Sequence, residues 1–213
     1  MNTEELIQSL SQSVKPVPRR SLERRIALGI ALGGLVAAVI VVAVLGIRPD
    51  LHDAMHGFSF WMKWIYTASL GAGAVSLVIQ LARPTGTSLR SLWILAIPVL
   101  LLTGIGVGEL ASTPSQKWVA MWLGGSWRVC PWLVLTLSMP IFIGLLWSFR
   151  RLAPTRLRAA GATAGLAAGA WAATIYCLHC PEVSAIFVLT WYSLGIMFAA
   201  GLGALVGPRF LRW

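Results

Sequence analysis

Two cysteines with a histidine between them, then a proline and a glutamate, stand in the stretch IYCLHCPE at residues 175–182. The spacing of Cys177 and Cys180 is the C-x-x-C of thiol–disulfide proteins, and Pro181 and His179 are neighbours able to tune a thiolate. A disulfide inside one regular helical turn is awkward, because both the Cα separation and the Cβ directions are constrained. The third cysteine, Cys130 in RVCPW, opens a different apolar run. A bridge from Cys130 to Cys180, joining two helix ends, is therefore favoured over one from Cys177 to Cys180. The motif is not a haem attachment site, since Pro181 stands where CxxCH needs its histidine.

Metal binding is the second chemistry open to these residues. Thiolate and imidazole suit a soft divalent ion. Beside the cysteines, His179, Glu182 and the i, i+4 pair His52 and His56 in RPDLHDAMHG are candidate ligands. The third reading is ordinary packing, with cysteines filling small apolar gaps and histidines at helix ends. Three cysteines are too few for a disulfide scaffold.

What must position these residues is a membrane bundle. Of the 213 residues, 57% are hydrophobic and 11% charged, against about 25% charged in soluble domains. Six apolar runs are long enough to span: 26–47, 60–82, 89–111, 129–149, 159–178 and 184–206. A bilayer core of about 30 Å needs roughly 20 helical residues. The runs are continuous rather than alternating and longer than the roughly 10 residues of a membrane strand, so strands are a poor reading. The predicted fold is an all-α integral membrane protein: a six-helix transmembrane bundle over 26–213 and a cytoplasmic tail over 1–25. A cleaved signal peptide is not expected. Lys63 is expected to snorkel to the membrane surface.

The net charge of +10 follows the loops rather than one stripe, so it points to membrane topology and not to direct nucleic-acid binding. With six spans, thirteen basic residues fall on one side and only Arg48, Lys63, Lys117 and Arg128 on the other. That bias places both termini in the cytoplasm. Every cysteine and histidine then maps to the outer side, where disulfides persist in bacteria.

The spans are nearly free of ionisable groups, which disfavours a soft-metal transporter. A membrane thiol-disulfide oxidoreductase is the enzymatic alternative, but a shuttling enzyme usually needs two cysteine pairs. No phosphate loop, HExxH or nucleophile elbow is present. Gly161, Gly165 and Gly169, like Gly29 and Gly33, form small-residue faces suited to close helix packing within the bundle or in a homodimer. Trp118, Trp122, Trp127 and Trp132 suggest an interfacial belt.

The tail MNTEELIQSLSQSVKPVPRR carries a second signal. Thr3 is a helix cap, and Glu4 and Glu5 favour the N-terminal dipole. Leu6, Ile7, Leu10 and Val14 make a narrow apolar stripe before Pro16 and Pro18 stop the helix. So short an amphipathic helix is marginal alone and suits docking in a partner's groove.

TEELIQSL, PVPRR, RVCPW, YCLHCPE and FVLTWYSLG, taken with the spans between them, resemble the NrsF-type transmembrane anti-sigma factors, negative regulators of extracytoplasmic-function sigma factors. The resemblance implies a bacterial inner-membrane protein without enzymatic activity, whose cytoplasmic tail sequesters such a sigma factor. It also implies that two periplasmic cysteines sense metal or oxidative stress. Those roles fall on Cys130 and Cys180, with Cys177 additional to the pair. No cofactor is required, and a soft divalent ion at the cysteines is the alternative to a thiol switch.

Overall fold

A computed structural model describes residues 3–12, 21–81, 93–149 and 156–211. Among them the backbone is helical throughout, with turns and no strand. The order is α1 (Thr3–Gln12), α2 (Ser21–Ile40), α3 (Leu51–His56), α4 (Phe58–Leu81), α5 (Trp93–Ser112), α6 (Trp118–Leu123), α7 (Cys130–Phe149), α8 (Leu157–Tyr176), α9 (Ala185–Phe187) and α10 (Ser193–Phe210). A π turn, Val41–Leu45, extends α2, and a second, Val188–Tyr192, joins α9 to α10. Such turns often mark functional positions.

Long apolar runs give long helices because every backbone group is then satisfied internally. Five helical stretches are long and apolar enough to cross a membrane: Leu22–Leu45, Phe58–Leu81, Trp93–Ser112, Cys130–Phe149 and Ala185–Phe210. They match five of the six expected runs, with ends shifted by a few residues. The run at 159–178 is also a helix, α8, of 20 residues, but its composition is dominated by alanine and glycine.

The packing explains that composition. α8 lies against α10, α4, α7 and α2, and most of its residues are buried, among them Ala164, Ala167, Ala168 and Ala172. An enclosed helix needs small side chains that let neighbours approach, not large ones that face lipid. α2 and α5 are the reverse. Leu32, Leu35, Val39, Leu100, Leu101 and Val107 are exposed, as lipid-facing residues are.

Both glycine faces are used inside the bundle. A Cβ on Gly29 would fall 2.5 Å from the Gly144 carbonyl of α7, and one on Gly33 would meet Ile141 and Pro140. Gly161 and Gly165 of α8 press on the backbone of Gly203 and Ala199 in α10. These faces are therefore occupied within one chain.

In the tail, α1 confirms the expected helix, and Glu4 and Glu5 stand in its first turn. Ile7 is exposed. Val14 and the stop at Pro16 and Pro18 lie outside the described residues.

Candidate functional site

The cysteines meet where α8 ends. The amides of His179 and Cys180 both reach back to the Tyr176 carbonyl, at 3.0 and 3.1 Å, so the helix tightens and stops before Pro181. Cys177, at the C-cap of α8, donates its thiol to the Ala173 carbonyl at 3.3 Å. Cys130, the first residue of α7, faces the same interior. All three side chains are 0% exposed, and all three are free thiols. The bridge expected between Cys130 and Cys180 is thus not closed in this structure. Tyr176 has Cys130 and Cys180 as polar neighbours, and Tyr192, from the π turn, has all three thiols.

The connector from Cys177 to Ala185 is gripped from every side. Lys63 of α4 donates to the carbonyls of Cys180 at 3.1 Å and Glu182 at 2.6 Å. Arg48 donates from its backbone amide to Leu178 at 3.1 Å and from its guanidinium to the Cys180 carbonyl at 3.4 Å. His179 pairs through Nδ1 with the Gly46 carbonyl at 2.8 Å. Gly46 turns the chain there with φ +81°, a conformation that favours glycine. Glu109, at the end of α5, accepts from the Ala185 amide at 2.8 Å and the Ser184 hydroxyl at 3.1 Å, capping α9.

The Glu182 carboxylate reaches the opposite way. Its Oε1 accepts from the Gly125 amide at 2.7 Å, and from the Ser126 amide and hydroxyl, each at 3.1 Å. Gly124 makes room: a Cβ there would fall 2.5 Å from the carboxylate, and its φ is +56°. Beside it, the Ser126 hydroxyl lies 3.9 Å from the Cys180 sulfur. Removing an anionic acceptor of three donors costs about 2–3 kcal/mol. Glu182→Ala is therefore expected to lower the melting temperature in detergent clearly, and Glu182→Gln to lower it less. Equal melting of both variants and the parent would refute that role.

Arg48 is held in turn by Asp50, whose two carboxylate oxygens accept at 2.8 and 2.6 Å. The Arg48 hydrogen bonds pull the Asp50 carboxyl below its ordinary range. The pair is present above the usual carboxylate pKa and is lost only as pH falls through that depressed value.

Several expectations need correction. Lys63 does not snorkel: its side chain is 0% exposed and turned inward onto the connector. The carbonyls freed where α8 ends give the ammonium better partners than the membrane surface. His52 and His56 do share a face of α3, with rings 5.0 Å apart, but both are exposed and do not join the thiols in a ligand set. Nor do the donors fit a metal ion. Nδ1 of His179 and the Glu182 carboxylate are engaged elsewhere, and among the described residues no group of three or more His, Cys, Asp or Glu is disposed to hold one. The tryptophans do more than line an interface: Trp191 packs on Trp122 and Trp127, and its Nε1 donates to the Trp122 carbonyl at 2.8 Å.

Sequence reading missed Lys63, Arg48, Glu109, Tyr176 and Tyr192. One signal was available. A lysine five residues into a helix otherwise free of charge is rarely idle.

Comparison with known proteins now bears on this arrangement. The family model described as "Negative regulator of sigma F", NrsF, matches residues 10–213. The chain belongs to the NrsF family. It is 39% identical over 216 residues to the "Probable anti-sigma-F factor NrsF" of Azospira oryzae, and 37% identical over 215 residues to the "Anti-sigma-F factor NrsF" of Caulobacter vibrioides. Each alignment covers 100% of both chains. No solved structure matches. As an NrsF protein, the chain is a negative regulator of a sigma factor and not an enzyme, which removes the oxidoreductase alternative. The NrsF match begins inside α1, whereas both relatives align along the whole tail.

Proposed function

We propose that this protein is an inner-membrane anti-sigma factor that holds an extracytoplasmic-function sigma factor on its cytoplasmic tail and releases it when periplasmic thiols are oxidised. The observation that carries the sensor is the gathering of three buried free thiols, Cys130 at the start of α7 and Cys177 and Cys180 on a connector gripped by α4, α5 and the loop after α2. In this reading α8 is the sixth span, both termini are cytoplasmic, and the cysteine end of the bundle faces the periplasm. The basic bias of thirteen to four supports that orientation.

The tail contributes α1, with Glu4, Glu5, Leu6, Ile7 and Leu10, followed by Val14. The exposed Ile7 is consistent with an apolar stripe left for a partner. At the other end, a peroxide-class oxidant takes two electrons and two protons from Cys130 and Cys180, forming the S–S bond as its O–O bond breaks. Drawing Cys180 toward α7 strains the carbonyl contacts to Lys63 and Arg48, and the loop after α2 moves with them. α2 leads directly to the tail. Oxidation shifts the balance only by favouring the releasing arrangement over the holding one.

The test is deletion of residues 1–18. Membranes carrying the parent chain are expected to retain the sigma factor in a pull-down, and membranes carrying the deletion to lose it. A sigma factor that still co-purifies and stays inhibited would remove the tail from the reading.

A further inference from the structure

The end of the bundle away from the cysteines carries charges that the sensor does not use. α8 begins there and α10 ends there, with glycine backbone pressed between them. A Cβ on Gly207 would fall 2.8 Å from the Leu157 carbonyl and 2.9 Å from the Gly161 Cα. Arg158, next to Leu157, and Arg209, two residues beyond Gly207, line one groove of about 360 Å³. The rest of its wall is apolar, made by Ala204, Leu205 and Pro208. Leu205 is 76% exposed, as a side chain facing acyl chains is.

Both arginines are exposed, and neither makes an ion pair among the described residues. Arg209 stands in the last turn of α10, where a cation offsets the helix dipole. Arg158 stands in the first turn of α8, where the dipole is positive and a cation is unfavourable. That turn holds no acidic residue, and the N-cap, Arg156, brings no side-chain acceptor to the free amides. The seven acidic residues of the chain lie elsewhere. Asp50, Asp53, Glu109 and Glu182 stand at the cysteine end. Glu23 lines a different groove, beside α2 and α4, and Glu4 and Glu5 belong to α1. An uncapped helix start beside two guanidinium groups is a site for an anion.

We propose that Arg158, Arg209 and the first turn of α8 bind an anionic phospholipid, with the two guanidinium groups on its phosphodiester and an acyl chain along Leu205. Basic pockets between membrane helices take such headgroups. A free phosphate would meet the charges but leave the apolar wall unused. A zwitterionic lipid would bring its own cation toward the arginine pair. The site rests on α8 and α10 crossing the membrane together, not on the thiol sensor. In the orientation proposed above it lies in the cytoplasmic leaflet.

The experiment uses the full-length chain in phosphatidylcholine vesicles. These carry a trace of phosphatidylglycerol, or of phosphatidylcholine, with a diazirine on one acyl chain. After illumination, labelled peptides are mapped by mass spectrometry. Label on residues 204–209 is normalised to label on the exposed Leu100 and Leu101 of α5, which reports contact with bulk lipid. The phosphatidylglycerol probe is expected to label residues 204–209 about thirtyfold more than the phosphatidylcholine probe, a preference that falls about fivefold with each arginine lost. Arg158→Gln and Arg209→Gln together should therefore abolish it. Lys117→Gln, which removes one charge at the other end, should leave it intact. Equal labelling by the two probes in the parent chain would overturn the site without any variant. An unchanged preference in the double variant would overturn it too, as would an equal fall in Lys117→Gln. Displacement of the label by inorganic phosphate would make it a free-anion site and refute the lipid. The anti-sigma reading fails separately, in the pull-down with the tail deletion.

Discussion

Gly203→Leu is expected to abolish the folded bundle. Gly203 and Gly161 meet backbone to backbone, and a Cβ at either position would fall on the carbonyl of the other; Gly203 also lies against the Cα of Gly165. Neighbouring backbone cannot yield as a flexible side-chain end can. Overpacking in an accommodating core costs about 1–3 kcal/mol, and a leucine driven between two backbones costs more than that. Net stabilities of about 5–15 kcal/mol leave little room for such a loss. The control lies on the same helix: Gly201 has nothing within 4 Å of its built Cβ. Gly201→Leu should therefore accumulate and melt like the parent, while Gly203→Leu should aggregate or fail to accumulate. Matched melting of the two variants in detergent would show that the α8–α10 seam tolerates separation. Gly161→Leu, approaching from the other helix, should repeat the loss.

The second large effect is on signalling rather than stability. Cys130→Ser and Cys180→Ser, singly and together, should fold, since serine is close in size and Tyr176 and Ser126 can serve a hydroxyl. Each should leave the sigma factor held but remove its release by peroxide, a change from full induction to none in a reporter under the sigma factor's control. Burying a hydroxyl in place of a thiol costs about 1–3 kcal/mol if it finds no partner, so expression must be matched before reporters are compared. Induction that is unchanged in all three variants would sink the sensor.

The large-scale architecture was readable because it rests on composition. Runs such as 129–149 are apolar all round, and a chain solvated by lipid makes that pattern helical. The meeting of the cysteine-bearing helix ends was readable too, since Cys130 and Cys180 stand at the two ends that topology places together. The clamp was not. Whether Lys63 turns outward or inward depends on the carbonyls freed where α8 unwinds, and those are set by tertiary packing between residues 117 apart in the chain. The role of Glu109 was not legible either, because it exists only once Ser184 and Ala185 are brought to it. α8 shows the same limit in another form. Its length was legible, but its central place follows from which neighbours enclose it.

That central place bears on how the protein is made. α8 is rich in alanine and glycine and has few large apolar side chains, so it has little drive to leave the translocon for lipid by itself. Its apolar companion is the following stretch, Ala185–Phe210, joined to it by the short cysteine connector. The two are suited to enter the bilayer as a hairpin, with glycines already in register. The connector that carries Cys177 and Cys180 is the turn of that hairpin. A chain that loses α10 would leave the glycine face of α8 without the backbone it packs against.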